Sequence, residues 1–331
     1  MVAAYLVLPD NKLASAQEKL AAKRTLRGRL MAKAEPAYQR MMQEVMQDHS
    51  TRKSLYVQIE KELGNEYRLV SFVTSSRPSV ILETGDADML EEALDNTDLE
   101  QKKLCLLLNS AGGDPLAAER IVRICRTFSP MGFDVIVPKM AKSAATMICM
   151  GADLIIMSRT SELGPIDPQI LIFDDNGVPS HYQAAHEIIE SYENLMKQAT
   201  QSKGRIEPYL QQLGRFDARD IRRVRTSQVL SLRIAVNHLK QSMMKKKTAK
   251  AIENKIKLFT DPNAATVSHG RPIYHDAAVR CGLGVKVVDN KSGLWKNVWA
   301  LYIRLNHVTN RTHLVKLIES TSDSFAAHQN I

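Results

Sequence analysis

Aromatic residues are scarce in this chain: Phe, Trp and Tyr together make up 5% of it, and only two are tryptophan. Single-stranded nucleic acid is held by bases stacking on aromatic platforms, so this composition argues against such a role. Cysteine is scarce as well. Cys105, Cys125, Cys149 and Cys281 are the full set, with no Cys-x-x-Cys spacing. Zinc ligation and a disulfide framework are therefore not expected. Three of the four fall inside apolar strand or helix patterns, as buried reduced thiols do. No apolar run approaches the roughly 18–20 residues of a membrane span. The opening MVAAYLVLPDNK lacks the basic n-region and long apolar stretch of a secretory signal. No Gly-x-x-x-x-Gly-Lys loop occurs, so any ATP-driven unfolding belongs to another chain. The expectation is a cytoplasmic protein that needs no metal and no cofactor.

What the chain does have is size and positive charge. Its 331 residues are 44% apolar with a formal net charge of +9. The basic runs are KQSMMKKKTAKAIENKIK and the segment Arg219–Arg225. Nucleic acid and acidic lipid are the usual partners of such charge. No helix-turn-helix, zinc-finger or single-strand-binding signature accompanies it, so the runs read as solvated helix faces and nucleic acid is not an expected partner.

The stretch from Leu104 to Gln169 organises the rest. Leu104–Leu108, Phe133–Val137 and Leu154–Met157 are short apolar runs ending in turn-type or polar residues, which read as buried strands. Helical segments Asp114–Phe128 and Ser143–Met150 lie between them. Strand, helix, strand, helix, strand predicts an α/β fold with a parallel β-sheet and crossover helices.

Chemistry in such sheets sits at the strand-to-helix corners. The first corner is Asn109-Ser110-Ala111-Gly112-Gly113-Asp114-Pro115. Asp114 suits an N-cap and Pro115 a first helical turn. Gly112 and Gly113 can present bare N–H groups there, a geometry for an anion or a developing oxyanion. The second corner is Ala141-Lys142-Ser143-Ala144-Ala145. Ser143 opens a helix among small residues, the exposed and tight position a nucleophilic serine needs. Alone, a Gly-Gly pair is most often a turn and a helix-opening serine most often a cap. The two on successive strands are more specific than either.

The runs NSAGGDPLAAERI, VPKMAKSAATM and GADLIIMSRTSELGPIDPQ, in this order, resemble the serine dehydrogenase proteinase family, a branch of the Clp protease proteolytic subunit and crotonase superfamily. Signal peptide peptidase A is a looser likeness. The resemblance covers roughly Leu69 to Asp289. It departs at Ala144-Ala145, where relatives often carry Gly-Gly, at Lys142 before the serine, and in the first residues, where no membrane anchor is read. It implies a Clp protease/crotonase-like core and a serine peptidase that hydrolyses peptide or protein substrates. It further implies a homo-oligomer, with a separate ATPase left open as a partner.

Around the core, residues 1–67 are expected to be a helical arm, with Leu13, Leu20, Leu30, Tyr38 and Met41 as a stripe. Residues 68–290 form the protease domain, with a first strand near 68–83 and an acidic helix over Asp86–Asn96. A loop or hairpin turns at Asp175-Asn176-Gly177, and a helical insertion spans about 182–260. In that insertion one long helix is expected over 182–213, and another runs from an Asp217 cap to about Met244. Residues 291–331 are a packing tail whose helix holds Trp295 and Trp299. Residues 11–48 and 294–305 are the surfaces expected between subunits.

In the favoured mechanism Ser143 attacks the scissile carbonyl and Gly112 or Gly113, with Ala144, binds the oxyanion. His269 sits in the His-x-x-Pro-Ile segment that the resemblance includes, and serves as base. Asp167 follows Ser143 at the end of the next strand and orients the imidazole. Three other readings stay open. A lysine dyad could use Lys142, Lys139 or a lysine from 240–257. A crotonase-like enzyme acting on an acyl thioester would need no serine. A catalytically degenerate assembly or regulatory subunit would need no chemistry.

Overall fold

The computed structural model describes residues 48–331 apart from 78, 174–178, 261–270, 312 and 329–331. Helix α1 (His49–Leu63) starts at Asp48, whose carboxylate accepts from the Thr51 N–H. It is followed by β1 (Tyr67–Thr74), α2 (Thr84–Asp95), β2 (Lys103–Asn109), α3 (Pro115–Phe128), β3 (Phe133–Val137), β4 (Met140–Ala141), α4 (Ala144–Gly151), β5 (Leu154–Met157) and β6 (Glu162–Leu163). The three strands and two helices read from the central stretch are present at those positions. The hairpin expected next is β7 (Gln169–Phe173) and β8 (Pro179–Ala184), paired antiparallel; its turn lies outside the described residues.

The C-terminal half is largely helical: α5 (Ala185–Gln201), α6 (Glu207–Leu213), α7 (Ala218–Gln241), α8 (Ala249–Lys255), α9 (Lys257–Thr260) and α10 (His275–Arg280). The single helix expected over 182–213 is two. Residues 182–184 still belong to β8, and the helix breaks after Gln201 at Ser202-Lys203-Gly204, where glycine withdraws helical preference. Asp217 caps α7 as expected, accepting from the Arg219 N–H at 2.7 Å.

After β9 (Val285–Val287) comes α11 (Gly293–Arg311), and then two strands that the tail's sequence did not announce, β10 (Leu314–Glu319) and β11 (Ser324–His328). They complete a seven-stranded sheet of order β11-β10-β1-β2-β3-β5-β9. β1, β2, β3, β5 and β9 run parallel; β10 is antiparallel to β1 and β11 to β10.

Alternate residues of each parallel strand feed opposite layers, as strand geometry dictates. Leu104, Leu106 and Leu108 join Val70, Phe72, Val135 and Val137 beneath α2, α3, α4 and α7. Cys105 and Leu107 join Leu69, Val73, Ile136 and Ile156 beneath α1 and α11. Burial on both faces is why these strands read as unbroken apolar runs. Trp295, Val298, Leu301 and Leu305 of α11 are spent in that second layer. This corrects the expectation that the apolar face of 294–305 awaits another subunit: it covers its own sheet. Helix α1 does the same with Tyr56 and Ile59, while the expected stripe from Leu13 to Met41 lies outside the described residues.

The two buried charges of β10 are partnered. Glu319 of β10 accepts from Arg52 of α1, with Nε–H···Oε2 at 2.8 Å, and from the Tyr56 hydroxyl at 3.3 Å. Lys316 reaches Asp86 Oδ1 at 2.9 Å. All four cysteines are free and buried. Among the described residues no helix is long and apolar enough to cross a membrane.

Candidate active site

The two corners meet because their backbones are bonded to each other. The Ser110 N–H donates to the Met140 carbonyl at 3.1 Å, and the Lys142 N–H donates to the Ser110 carbonyl at 3.0 Å. The ends of β2 and β4 therefore run side by side, and the Gly-Gly turn lies against the serine. A Cβ built on Gly112 would come 2.7 Å from Ser143 Cβ and 2.5 Å from the Lys142 carbonyl oxygen. Gly112 has φ of 101°, a left-handed conformation costly for any other residue. Gly113 is pressed on the Leu82 backbone, and the turn is strapped there by Leu82 N–H to Gly112 O at 2.8 Å and Asp114 N–H to Leu82 O at 2.9 Å.

Ser143 is the one non-glycine residue with positive φ among the described residues, at φ 50° and ψ −121°. It precedes α4 but makes no capping hydrogen bond, so its hydroxyl is not consumed by the helix. A strained, uncapped serine at a helix start is what a projecting nucleophile requires, whereas a structural N-cap has neither property. Two main-chain donors beside it are unspent among the described residues: Gly113 N–H and Ala144 N–H donate to no acceptor in the turn ladder. Gly112 differs, because its N–H donates to Ser110 Oγ at 3.1 Å.

Thr146, one turn into α4 and fully buried, ties this helix to both flanking loops. Its hydroxyl oxygen lies 2.7 Å from the Ala141 carbonyl and 3.0 Å from the Gly164 carbonyl, and accepts the Gly164 N–H at 3.1 Å. Gly164 opens the Gly-Pro-Ile-Asp segment, so the Ser143 corner and the Asp167 loop are fastened through one side chain. Farther along α4, His238 Nδ1–H of α7 donates to the Met147 carbonyl at 3.0 Å, and at the helix's C-terminal end Ser242 Oγ–H donates to the Met150 carbonyl at 2.7 Å. Burial pulls the His238 imidazole down to about 4, and nearby Arg126 pulls the same way. Cys149 of α4 is no rival nucleophile, since burial pushes its thiol up and keeps it protonated.

Asp167 is buried, and its Oδ2 lies 3.2 Å from His186 Nδ1 on the first turn of α5. His186 is a residue the sequence reading passed over. The signal was in the hairpin: β7 and β8 pair with Gln169 opposite Ala184, and two further steps outward along that register bring Asp167 to His186. His269 lies outside the described residues. Beyond it in the chain, Ile273 forms a two-bond bridge with Leu163, Leu163 N–H to Ile273 O and Ile273 N–H to Leu163 O, each 2.9 Å.

The lysines fare differently. Lys142 turns away into an ion pair with Glu162 at 3.2 Å and a hydrogen bond to the Leu163 carbonyl at 3.2 Å. Burial lowers its pKa, against the opposing pull of Glu162. Lys139 and every lysine from 240 to 257 are exposed, and none lines the cleft described next.

Ser143, Gly112 and Gly113 open onto a cleft of about 460 Å³. Its walls are mostly apolar: Val80, Ile81, Met147, Ile166, Ile170 and Leu230. Size and lining fit a small ligand or the side chains of an extended peptide.

Residues 81–201 match the model of the ClpP-like SDH-type serine proteinase family. That span holds the Gly-Gly turn, Ser143, Asp167 and His186, so the resemblance read from the motifs stands over the segment that carries them. An uncharacterised protein of Methanocaldococcus jannaschii is 39% identical over 71 residues, 22% of this chain. The chain spans about a quarter of that relative's length, 24%. Among solved structures, a variant of the 1510-N membrane-bound stomatin-specific protease in complex with a substrate peptide is 15% identical, covering 72% of this chain and 96% of its own at a TM-score of 0.29. A ClpP1 variant from Listeria monocytogenes is 15% identical over 71% of this chain and 98% of its own, at a TM-score of 0.35.

Proposed function

We propose that this protein is a serine peptidase and that Ser143 is its nucleophile. The observation that carries the reading is the backbone of Ser143: positive φ, no capping bond, and a side chain set against Gly112 on an apolar cleft. The family match over residues 81–201 supports peptide-bond hydrolysis over acyl-thioester chemistry.

In the proposed reaction Ser143 Oγ bonds to the scissile carbonyl carbon and its proton passes to a base. The carbonyl oxygen takes the negative charge, facing Gly113 N–H and Ala144 N–H. Collapse breaks the C–N bond and the amine leaves with the proton; water then repeats the sequence and frees the serine. His269 is the proposed base and Asp167 the carboxylate that orients it. A sequence count supports this pairing: His269 lies four residues before Ile273 and Asp167 four after Leu163, and Ile273 and Leu163 are joined by an antiparallel bridge. His186 is the rival imidazole, favoured by its contact with Asp167. Assembly into a homo-oligomer and feeding by a separate ATPase belong to the same proposal, and light scattering on the purified chain tests the first.

A fluorophosphonate probe with mapping of the modified residue tests the nucleophile. Labelling at Ser143 that is lost in Ser143→Ala is the expected result; undiminished labelling of that variant overturns the reading. His269→Gln and His186→Gln, compared for turnover at equal folding, decide between the two imidazoles.

A further inference from the structure

We infer that residues 240–257 form a docking surface for an anionic lipid bilayer; the inference stands apart from the peptidase reading above. Seven lysines and one carboxylate, Glu253, lie in this segment, so it alone supplies most of the chain's formal net charge of +9. Lys240, the run Lys245–Lys247, Lys250, Lys255 and Lys257 are all exposed. Lys250 meets Glu253 at 3.4 Å, and the other six have no acidic partner among the described residues. The other basic run differs: Arg219 is paired with Asp217 and Arg225 with Glu193, each at 2.8 Å. Charge is largely cancelled in the arginine run and left standing in the lysine segment, and a standing cluster of one sign attracts a polyanion.

The lysines face outward because the rest of the segment is spent inward. Met244, Ile252, Ile256 and Phe259 are buried in the core layer beneath α7. Ile252, Ile256 and Phe259 recur at helical spacing, which turns Lys250 and Lys257 to the opposite side. Main-chain bonds hold the turn between α7 and α8: Met244 N–H donates to Leu239 O at 2.7 Å and Lys247 N–H to Met244 O at 2.9 Å. Thr248 then caps α8, its hydroxyl accepting the Ala251 N–H at 3.3 Å. The charges are thus gathered on a folded backbone before any surface is met.

The chemistry of the segment favours a bilayer over nucleic acid. Its cations are lysines alone, point charges that lack the planar fork with which arginine grips phosphates. Residues 240–257 hold no aromatic ring on which a base could stack. Exposed apolar side chains flank the charge instead. The loop 282–284 packs on the turn: Gly284 N–H lies 3.2 Å from Met243 Sδ, and a Cβ built on Gly282 would come 3.2 Å from Met244 Cε and Lys255 Cδ. Before and after that loop, Val279 is 49% exposed and Val287 42%. Lysines beside isolated apolar side chains suit the boundary between headgroups and acyl chains, where the lysine stems also bury their methylenes.

The test is co-sedimentation of the full chain with phosphatidylcholine vesicles, plain or containing about one-third phosphatidylserine. The expected result is binding to the anionic vesicles alone, weakening steeply as salt rises from about 0.1 M toward 1 M and the screening length shrinks. Each lysine near such a surface is worth about fivefold in partitioning, so Lys245→Gln, Lys246→Gln and Lys247→Gln together should lower it about a hundredfold. A control triple, Arg215→Gln, Arg222→Gln and Arg223→Gln, removes the same charge elsewhere and should change it by no more than about threefold. Equal sedimentation with both vesicles overturns the inference. So does an unchanged response to the lysine triple, or an equal loss in both triples, which would assign binding to the overall charge. Lysine-dependent binding to a short DNA duplex without vesicle binding overturns it in favour of nucleic acid. Urea unfolding checks that the variants fold. If the lysine triple does not, Lys250→Gln with Lys257→Gln decides in its place, with a loss of about thirtyfold expected and none overturning the inference.

Discussion

Gly112 is the residue on which the serine corner has least tolerance. Gly112→Ala would add a methyl group 2.5 Å from the Lys142 carbonyl oxygen and force a side chain into φ of 101°. The backbone must move, and it can move only against Ser143 and Ala144. We expect a loss of about 1–3 kcal/mol in stability and a fall of about a hundredfold in turnover, since displacements near 1 Å cost that much. Urea unfolding and steady-state kinetics on one preparation check both; a variant with unchanged turnover would show that the serine is not held by this turn. Legibility at this scale was uneven. Ser143 and the glycines announced themselves because their chemistry is local, a hydroxyl and two permissive backbones beside a helix. His186 did not, because its partner Asp167 is reached only through a hairpin register.

At the scale of elements, α4 depends on side chains from outside its own turns. Thr146→Val keeps the shape but removes the hydroxyl that serves the Ala141 and Gly164 backbones. About 1–3 kcal/mol of stability should be lost through unsatisfied buried groups, with turnover falling alongside as the Asp167 loop loosens. Full turnover with the stability loss would separate the tether from the chemistry. His238 gives the α4–α7 contact a pH dependence. Its imidazole sits near 4 when folded against an ordinary 6.5, so the unfolded chain binds the extra proton between those values. Stability from this group is complete above about pH 6.5 and is lost as pH falls toward 4, on the order of 3 kcal/mol. In His238→Asn, whose amide can donate to the same carbonyl, the acid limb of the stability curve should flatten; an unchanged limb would assign it to other groups. Elements buried on both faces, β2, β3 and β5, were legible as apolar runs. β10 was not, because LVKLIE carries Lys316 and Glu319 into the interior, and their compensating partners Asp86 and Arg52 lie more than two hundred residues away in sequence.

Across the whole molecule, that same pair joins segments from before and after the core. Arg52 and Glu319 are both buried, so Glu319→Gln would leave a buried guanidinium without its anion at a cost of about 3–5 kcal/mol. The expected outcome is a lower unfolding midpoint in a single transition. An apolar replacement of both members, Arg52→Met with Glu319→Leu, should recover most of it. A separate early transition in Glu319→Gln would instead mean that α1 and β10 unfold as a unit of their own.

The sheet order has a consequence for how the chain is made. β1 emerges early and finds β2 soon after, but its other edge is closed only by β10, Leu314–Glu319. Through most of synthesis the nucleophile corner can assemble while an apolar strand flank stays open to any passing chain, the condition that favours edge-to-edge misassembly. Closing that flank needs a contact of very long loop, which is slow. The last step of maturation is then the capping of an edge rather than the building of a site, and a nascent chain stalled before residue 314 would carry its catalytic corner and its aggregation hazard together.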